Sequence, residues 1–282
     1  MPKEREHFAF CIASIATKSG NTYRQENAIR LNEKLSSSGF ENLGIASTFT
    51  PTFQSAHLEA QRRGLTFGTT NHTNFWKNCF RDEEHFACLL RGLDGKPWGG
   101  IFPMYSGECG VWISFYDACS SLLRSNHRYL LWLEDDTVLT FNFKDLFCQY
   151  LEELNSLSFD FCSFGFTRAS TSIYSGWKHL PVFQPYSPNF VPSFQPIGGG
   201  AILISRSGAH KITDYAKNHS MIYTFDMQIL NTRSENFDIG SFYETISINP
   251  ESPQMCEYLD DSGMNAEIDK THPKSTDIRI DF

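Results

Sequence analysis

Five apolar residues in succession, Tyr129-Leu130-Leu131-Trp132-Leu133, run directly into three acids, Glu134-Asp135-Asp136. A run of strand length with no polar position has no face to give to water, so it reads as a central strand covered on both sides. Adjacent carboxylates repel one another and raise each other's pKa unless a cation or a donor relieves them. Three of them at the carboxyl end of a buried strand therefore need a partner, and in open α/β sheets that edge is where ligands bind.

The flanking chain alternates strand and helix patterns. Residues 8–16 read as a buried strand, and Ser19-Gly20-Asn21 then breaks the chain. Glu26 to Leu35 has helical spacing, with Ala28, Ile29, Leu31 and Leu35 on one side. Residues 41–56 read as a short strand and a loop, and Glu83 to Leu93 as a helix. Residues 110–125 form a helix with the stripe Val111, Phe115, Ala118, Cys119 and Leu122. Lys144 to Leu157 forms another, with Leu146, Phe147, Tyr150, Leu151 and Leu154 inward. Strands are expected at 159–164, 201–204 and 243–248, and Ser205 or Ser207 caps a helix that runs to about Lys217. Residues 170–197, rich in Ser, Pro and aromatics, show no period and read as a long irregular loop. This alternation predicts an α/β domain over 1–256 with a mostly parallel sheet flanked by helices, followed by a polar tail over 257–282. The 25 Phe, 11 Tyr and 5 Trp supply a large core and exclude disorder.

The eight cysteines include no Cys-x-x-Cys pair, which argues against a zinc site. Cys11, Cys88, Cys119, Cys148 and Cys162 lie in apolar runs, as buried free thiols do. The 32 acidic against 24 basic side chains give a net charge of −8, which argues against nucleic acid as a partner. No stretch reaches the roughly 18 apolar residues of a membrane span. The run Phe8–Ala16 has the length of a signal-peptide core, but Glu4 and Glu6 spoil the positive flank and a first strand explains it equally well. The expectation is a soluble, cytoplasmic protein. Absence of Gly-x-x-x-x-Gly-Lys-Ser/Thr, Gly-x-Gly-x-x-Gly and Gly-x-Ser-x-Gly patterns argues against a P-loop enzyme, a dinucleotide oxidoreductase and an α/β-hydrolase.

In an extended segment, side chains two apart point the same way, so Glu134 and Asp136 face one ligand and Asp135 another. A hard divalent ion such as Mn2+ or Mg2+ takes oxygen ligands and also holds phosphate oxygens, which lets an acidic site accept an anionic substrate. The plain alternative is a solvated acidic turn or an acid-rich helix start. Other positions carry similar pairs of readings. Asp226, after Tyr223-Thr224-Phe225, is a helix N-cap or a general base. Glu108 is a helix-capping acid or a substrate contact. Gly198-Gly199-Gly200 is a turn or a place where backbone approaches a sugar closely. Trp177 and Tyr186 are packing or sugar-stacking aromatics, and His219 or His272 is an extra metal ligand or an ordinary surface imidazole.

Four segments, in order and spacing over roughly 100–230, resemble the family 25 glycosyltransferases, the group of bacterial lipooligosaccharide galactosyltransferases and hydroxylysine galactosyltransferases. Ser106-Gly107-Glu108-Cys109-Gly110-Val111-Trp112-Ile113-Ser114 resembles that family's Gly-Glu-x-Gly-x-x-x-Ser-His segment, with Phe115 in place of the His. Leu131-Trp132-Leu133-Glu134-Asp135-Asp136 resembles its metal-binding Leu-Glu-Asp-Asp. Gly199-Gly200-Ala201-Ile202-Leu203-Ile204-Ser205-Arg206-Ser207-Gly208-Ala209 resembles its later strand-to-helix unit, and Phe225-Asp226 its hydrophobic-Asp pair. The first strand, with Thr17 and Arg24, is similar to the family's N-terminal strand and Arg-rich loop.

The resemblance implies a GT-A-type nucleotide-sugar-binding fold and a hexosyltransferase. Such an enzyme moves a hexose, galactose above all, from a UDP-linked donor to an acceptor glycan hydroxyl, with inversion. It implies Mn2+ or Mg2+ on Glu134 and Asp136, donor contacts from Thr17, Arg24, Glu108, Glu134, Asp135, Gly199 and Gly200, and Asp226 as base. It is also compatible with peripheral association with a membrane glycan pathway. Two other readings of the same acids are a metal-dependent phosphodiesterase and a carbohydrate- or nucleotide-sugar-binding protein without turnover.

Overall fold

The computed structural model describes residues 8–16, 22–49, 53–67, 69–71, 101–103, 106–164, 178, 185–192, 200–221 and 245–258. In chain order the strands are β1 (Ala9–Ala16), β2 (Glu41–Phe49), β3 (Thr66–Phe67), β4 (Thr69–Asn71), β5 (Ile101–Pro103), β6 (Tyr129–Glu134), β7 (Thr137–Leu139), β8 (Phe161–Ser163), β9 (Phe190–Pro192), β10 (Ala201–Ser205), β11 (Ser220–Met221), β12 (Thr245–Ile248) and β13 (Cys256–Tyr258). The helices are α1 (Thr22–Ser37), α2 (Phe53–Arg62), α3 (Ser106–Arg124), α4 (Phe143–Leu154) and α5 (Arg206–Asn218).

Seven strands form one sheet in the order β2-β1-β6-β10-β8-β12-β9. The apolar run of β6 sits near its middle, and alternation explains why no polar residue is tolerated there. Leu130 and Trp132 enter one buried layer with Phe115, Cys119 and Leu122 of α3 and Ala209 and Ile212 of α5. Tyr129, Leu131 and Leu133 enter the opposite layer with Leu31 and Leu35 of α1 and Phe147 and Tyr150 of α4. β1 and β10 divide in the same way: Cys11, Ile202 and Ile204 go to the first layer, and Phe10, Ile12 and Leu203 to the second.

The sheet is mixed rather than mostly parallel. β1 pairs parallel with β2 and β6, and β12 parallel with β8. β10 runs antiparallel to both β6 and β8, and β9 antiparallel to β12. A run buried on both faces looks the same in either direction, so apolar content does not encode strand direction.

Other differences have local causes. The stretch 41–56 holds the nine-residue β2 and the start of α2. β2 lies at the sheet edge, with Glu41 and Asn42 exposed, so its apolar signal is weak. Its register against β1 shifts between Phe10 and Ile12, and nearby Gly44 takes φ 129°, a value open to glycine. Within the stretch read as an irregular loop, Phe190–Pro192 forms β9, an edge strand, the position where a proline is tolerated. Ile29 is 56% exposed, because the buried stripe of α1 runs through Asn27, Ala28, Leu31 and Leu35 instead. Cys148 is exposed on α4 beside the buried Phe147, whereas Cys11, Cys119 and Cys162 are buried; Cys88 lies outside the described residues. The helix expected at 83–93 also lies outside them.

Three motif residues owe their place to local structure. Ser205 is the N-cap of α5 and accepts the Gly208 N–H at 3.1 Å. A Cβ on Gly208 would stand 2.4 Å from the Asp160 carbonyl oxygen, so only glycine fits. Arg206 donates to the carbonyls of Leu122, Leu123, Ser125 and His127 at 2.8–3.1 Å and so closes the C-terminus of α3. Beyond the main sheet, β13 pairs antiparallel with β7, with Tyr258 opposite Thr137, and thus spans the boundary drawn at 256. No helix among the described residues is long and apolar enough to cross a membrane.

Candidate functional site

Glu134 closes β6, and Asp135 and Asp136 form the tight turn that leads into β7. The turn sits at the edge where β1, β6, β8 and β12 all end, since these strands share one direction. Because β10 runs the other way, it begins at this edge, with Ala201 opposite Leu133. Gly200 is thereby brought against the acids. Its carbonyl oxygen accepts the backbone N–H of Glu134 at 2.8 Å and the Thr137 hydroxyl at 2.6 Å.

The other side of the turn is held by α1. Asn27, 5% exposed, donates its side-chain amide to the carbonyl oxygens of Asp135 at 2.7 Å and Thr137 at 2.8 Å. The acidic turn is thus tied to segments distant in the chain on both sides, and all four bonds are made to or from its backbone or Thr137.

Burial divides the three acids. Asp135 is closed off from solvent at 1% exposure, while Glu134 and Asp136 keep partial exposure. The alternation of an extended segment does not set this split, because Asp135 and Asp136 lie in the turn. The Oδ1 atom of Asp136 is itself shielded from solvent. Among the described residues, no group of three or more His, Cys, Asp or Glu side chains converges as a metal site. Two partly exposed carboxylates still fit a hard ion of the Mg2+ or Mn2+ kind, which is held by one or two carboxylates and takes its remaining ligands from water and substrate phosphates. The all-oxygen donor set fits such an ion better than a soft one.

The nominated residues divide into four groups. Gly200 and the three acids meet as described. Arg24 lies on α1 one turn ahead of Asp135's partner Asn27, and Glu108 lies in the first turn of α3. α3 spans roughly 28 Å at the usual rise and connects into the start of β6, so its first turn stands toward the edge where β6 ends. Thr17, Gly199 and Asp226 lie outside the described residues, as do Trp177 and His272. Tyr186 is 54% exposed, and His219 stacks on Tyr215 with ring centroids 4.4 Å apart.

Phe115, which the resemblance to family 25 sets opposite a His, belongs to the core. It is 0% exposed and packs edge-on against Trp132 at 5.5 Å, with Phe161 at 5.8 Å. Ser114 beside it is buried and accepts from the Trp132 indole at 3.4 Å. Asn27 is the residue that sequence reasoning passed over. Its only local signal is a polar residue on the apolar stripe of α1.

No family model matches the chain, and no curated protein matches it. Among solved structures, it is similar to a glycosyltransferase involved in the glycosylation of the major capsid of PBCV-1, at 10% identity over 93% of this chain and 97% of that one, with a TM-score of 0.42. It is also similar to A197 from STIV, at 10% identity over 85% of this chain and 81% of that one, with a TM-score of 0.31. At that level neither likeness carries a conclusion about fold or activity.

Proposed function

We propose that this chain is a metal-dependent glycosyltransferase that moves a hexose, galactose above all, from a UDP-linked donor to a glycan hydroxyl with inversion. One observation supports the reading most. Two segments that resemble family 25, the strand ending in Glu134-Asp135-Asp136 and the unit opening at Gly199-Gly200, are far apart in sequence and meet through the bond from Glu134 N–H to Gly200 O at 2.8 Å.

In this reading Glu134 and Asp136 hold Mn2+ or Mg2+, which when bound supplies Lewis-acid stabilisation to the departing nucleoside diphosphate. The other steps belong to the chain. Gly199 and Gly200, lacking side chains, leave room for the donor sugar against the backbone. Asp226 takes the proton of the acceptor hydroxyl as it attacks the anomeric carbon from the face opposite the leaving group. Arg24, Thr17, Glu108 and Asp135 orient the donor.

Calorimetry with UDP-galactose, with and without Mn2+, tests this. The expected result is binding that depends on Mn2+ and is followed by release of UDP, both lost in Asp136→Asn. Undiminished Mn2+-dependent turnover by that variant defeats the assignment. Binding without UDP release under any acceptor points to a binding protein instead.

A further inference from the structure

We propose that Asn27 is a positioning residue for this site, setting the direction of the Asp136 carboxylate from below. The inference rests on the reading that Glu134 and Asp136 take a divalent ion.

Asn27 occupies the buried stripe of α1 beside Ala28, Leu31 and Leu35, and is itself only 5% exposed. An amide in such a place is a cost to folding unless its donors are used. Both are used, and on one target. Nδ2 carries two protons, and it lies 2.7 Å from the Asp135 carbonyl oxygen and 2.8 Å from that of Thr137. These carbonyls stand on either side of Asp136. Fixing both to a single nitrogen pins the 135–136 and 137–138 peptide units, which bracket the Asp136-Thr137 step, and so narrows the directions in which the Asp136 Cα–Cβ bond can leave the backbone.

The opposite side of the turn is fixed by Gly200, through Glu134 N–H at 2.8 Å and the Thr137 hydroxyl at 2.6 Å. The turn is therefore gripped between α1 and the start of β10. Residues that orient a ligating side chain without touching the ion change metal affinity when lost. Asn27 stands in that relation to Asp136.

The test uses the full chain with Asn27→Leu and Asn27→Asp, and Asp136→Asn as reference. Asn27→Leu removes both donors. Asn27→Asp keeps the shape but turns an oxygen toward two carbonyl oxygens. The probe is Mn2+, alone and with UDP, titrated by calorimetry well below every variant's melting temperature. Hydrogen–deuterium exchange is followed in parallel over 130–140 and over α5. Both Asn27 variants are expected to bind Mn2+ about ten- to a hundredfold more weakly, with faster exchange in 130–140 and unchanged exchange in α5. A role in stability alone would lower the melting temperature and leave Mn2+ affinity in place.

If the natural chain binds Mn2+, Asp136→Asn loses it and the Asn27 variants bind as tightly as the natural chain, the positioning role is overturned and the site reading stands. If the natural chain takes up no Mn2+, or Asp136→Asn binds it undiminished, both fall together. Should neither Asn27 variant fold, Asn27→Ser, whose short hydroxyl cannot reach both carbonyls, takes their place, and full Mn2+ affinity there overturns the proposal.

Discussion

The backbone nitrogen of Glu134 lies 2.8 Å from the carbonyl oxygen of Gly200 and donates its N–H to it. The contact exists because β10 runs antiparallel to β6, which puts the beginning of one strand beside the end of the other. A parallel β10 would carry Gly200 to the far edge of the sheet. The reversal in strand direction is therefore what assembles the two halves of the candidate site.

Thr137 tests how firmly that junction is held. Its hydroxyl donates to Gly200 O at 2.6 Å, and the residue is 0% exposed. Thr137→Val keeps the shape and removes the donor, while Gly200 O retains the Glu134 N–H. The expected cost is about 1 kcal/mol, the usual net worth of one hydrogen bond with its acceptor still served. Urea unfolding measures it. A variant as stable as the natural chain would mean that the bond contributes nothing there.

Phe115 stands where the resembled family carries His, so restoring the imidazole is the obvious experiment. The packing predicts that it fails. The ring is 0% exposed, with Trp132 at 5.5 Å and Phe161 at 5.8 Å. Phe115→His removes apolar contact and buries a polar ring, for a loss of about 3 kcal/mol. The urea midpoint should fall and turnover should not rise above that of the natural chain. A variant of natural stability with enhanced turnover would show that position 115 reaches the site.

The elements that sequence pattern discloses are those with a complete local signal. β6 is a continuous apolar run, α3 and α4 carry stripes at helical spacing, and α5 opens on the Ser205 cap. β2 and β9 lack that signal: one is an exposed edge strand with a bulge, the other three residues ending in proline. Strand direction is set by connections and tertiary pairing, which a symmetrical run such as Ala201–Ile204 does not record. In the site, the acids and Gly200 announce themselves by type. Asn27 does not, because its partners lie 108 and 110 positions away and are backbone carbonyls, which every residue possesses.

Gly208 belongs to a resembled motif, yet its role is steric. A Cβ there would meet the Asp160 carbonyl oxygen at 2.4 Å and its carbon at 2.8 Å, both backbone atoms that cannot swing aside. The start of α5 is further bound to that carbonyl through the Ser205 N–H at 2.9 Å. Gly208→Ala should cost about 2 kcal/mol, the usual penalty of overpacking, seen as a lowered thermal midpoint. Natural stability in the variant would mean that α5 shifts freely on the sheet.

The cysteines predict a labelling pattern. Burial pushes the Cys11 thiol up to about 12, with the nearby Asp117 charge adding to it, and burial likewise raises Cys119, Cys162 and Cys256. Cys109 is also buried, and Cys148 is exposed. Thiolate, the reactive form, is scarce wherever burial raises the pKa. Iodoacetamide on the native protein near pH 8 should therefore modify Cys148 and spare these five until the chain is denatured. Mass spectrometry of the peptides reads the result, and rapid native labelling of Cys11 or Cys119 would contradict the packing of β1 against α3.

Glu153, near the end of α4, carries the clearest acid dependence. Burial alone would raise its carboxyl. The Ser187 hydroxyl and the side-chain and backbone N–H groups of Asn189 outweigh that and hold it below its ordinary value of 4.5. Asn189 donates to Oε1 at 3.0 Å and to Oε2 at 2.8 Å. A carboxyl whose folded pKa is depressed binds its proton more readily in the unfolded chain. Its contribution to stability is therefore complete above the unfolded value and drains away as pH falls through the folded one. Glu153→Gln removes the titration, since an amide cannot ionise, and sets one donor against the Asn189 amide. The variant should be less stable than the natural chain near neutrality, and the gap should close as the medium is taken below the carboxylate range. Parallel stability curves across that range would mean that Glu153 titrates alike in the folded and unfolded chains.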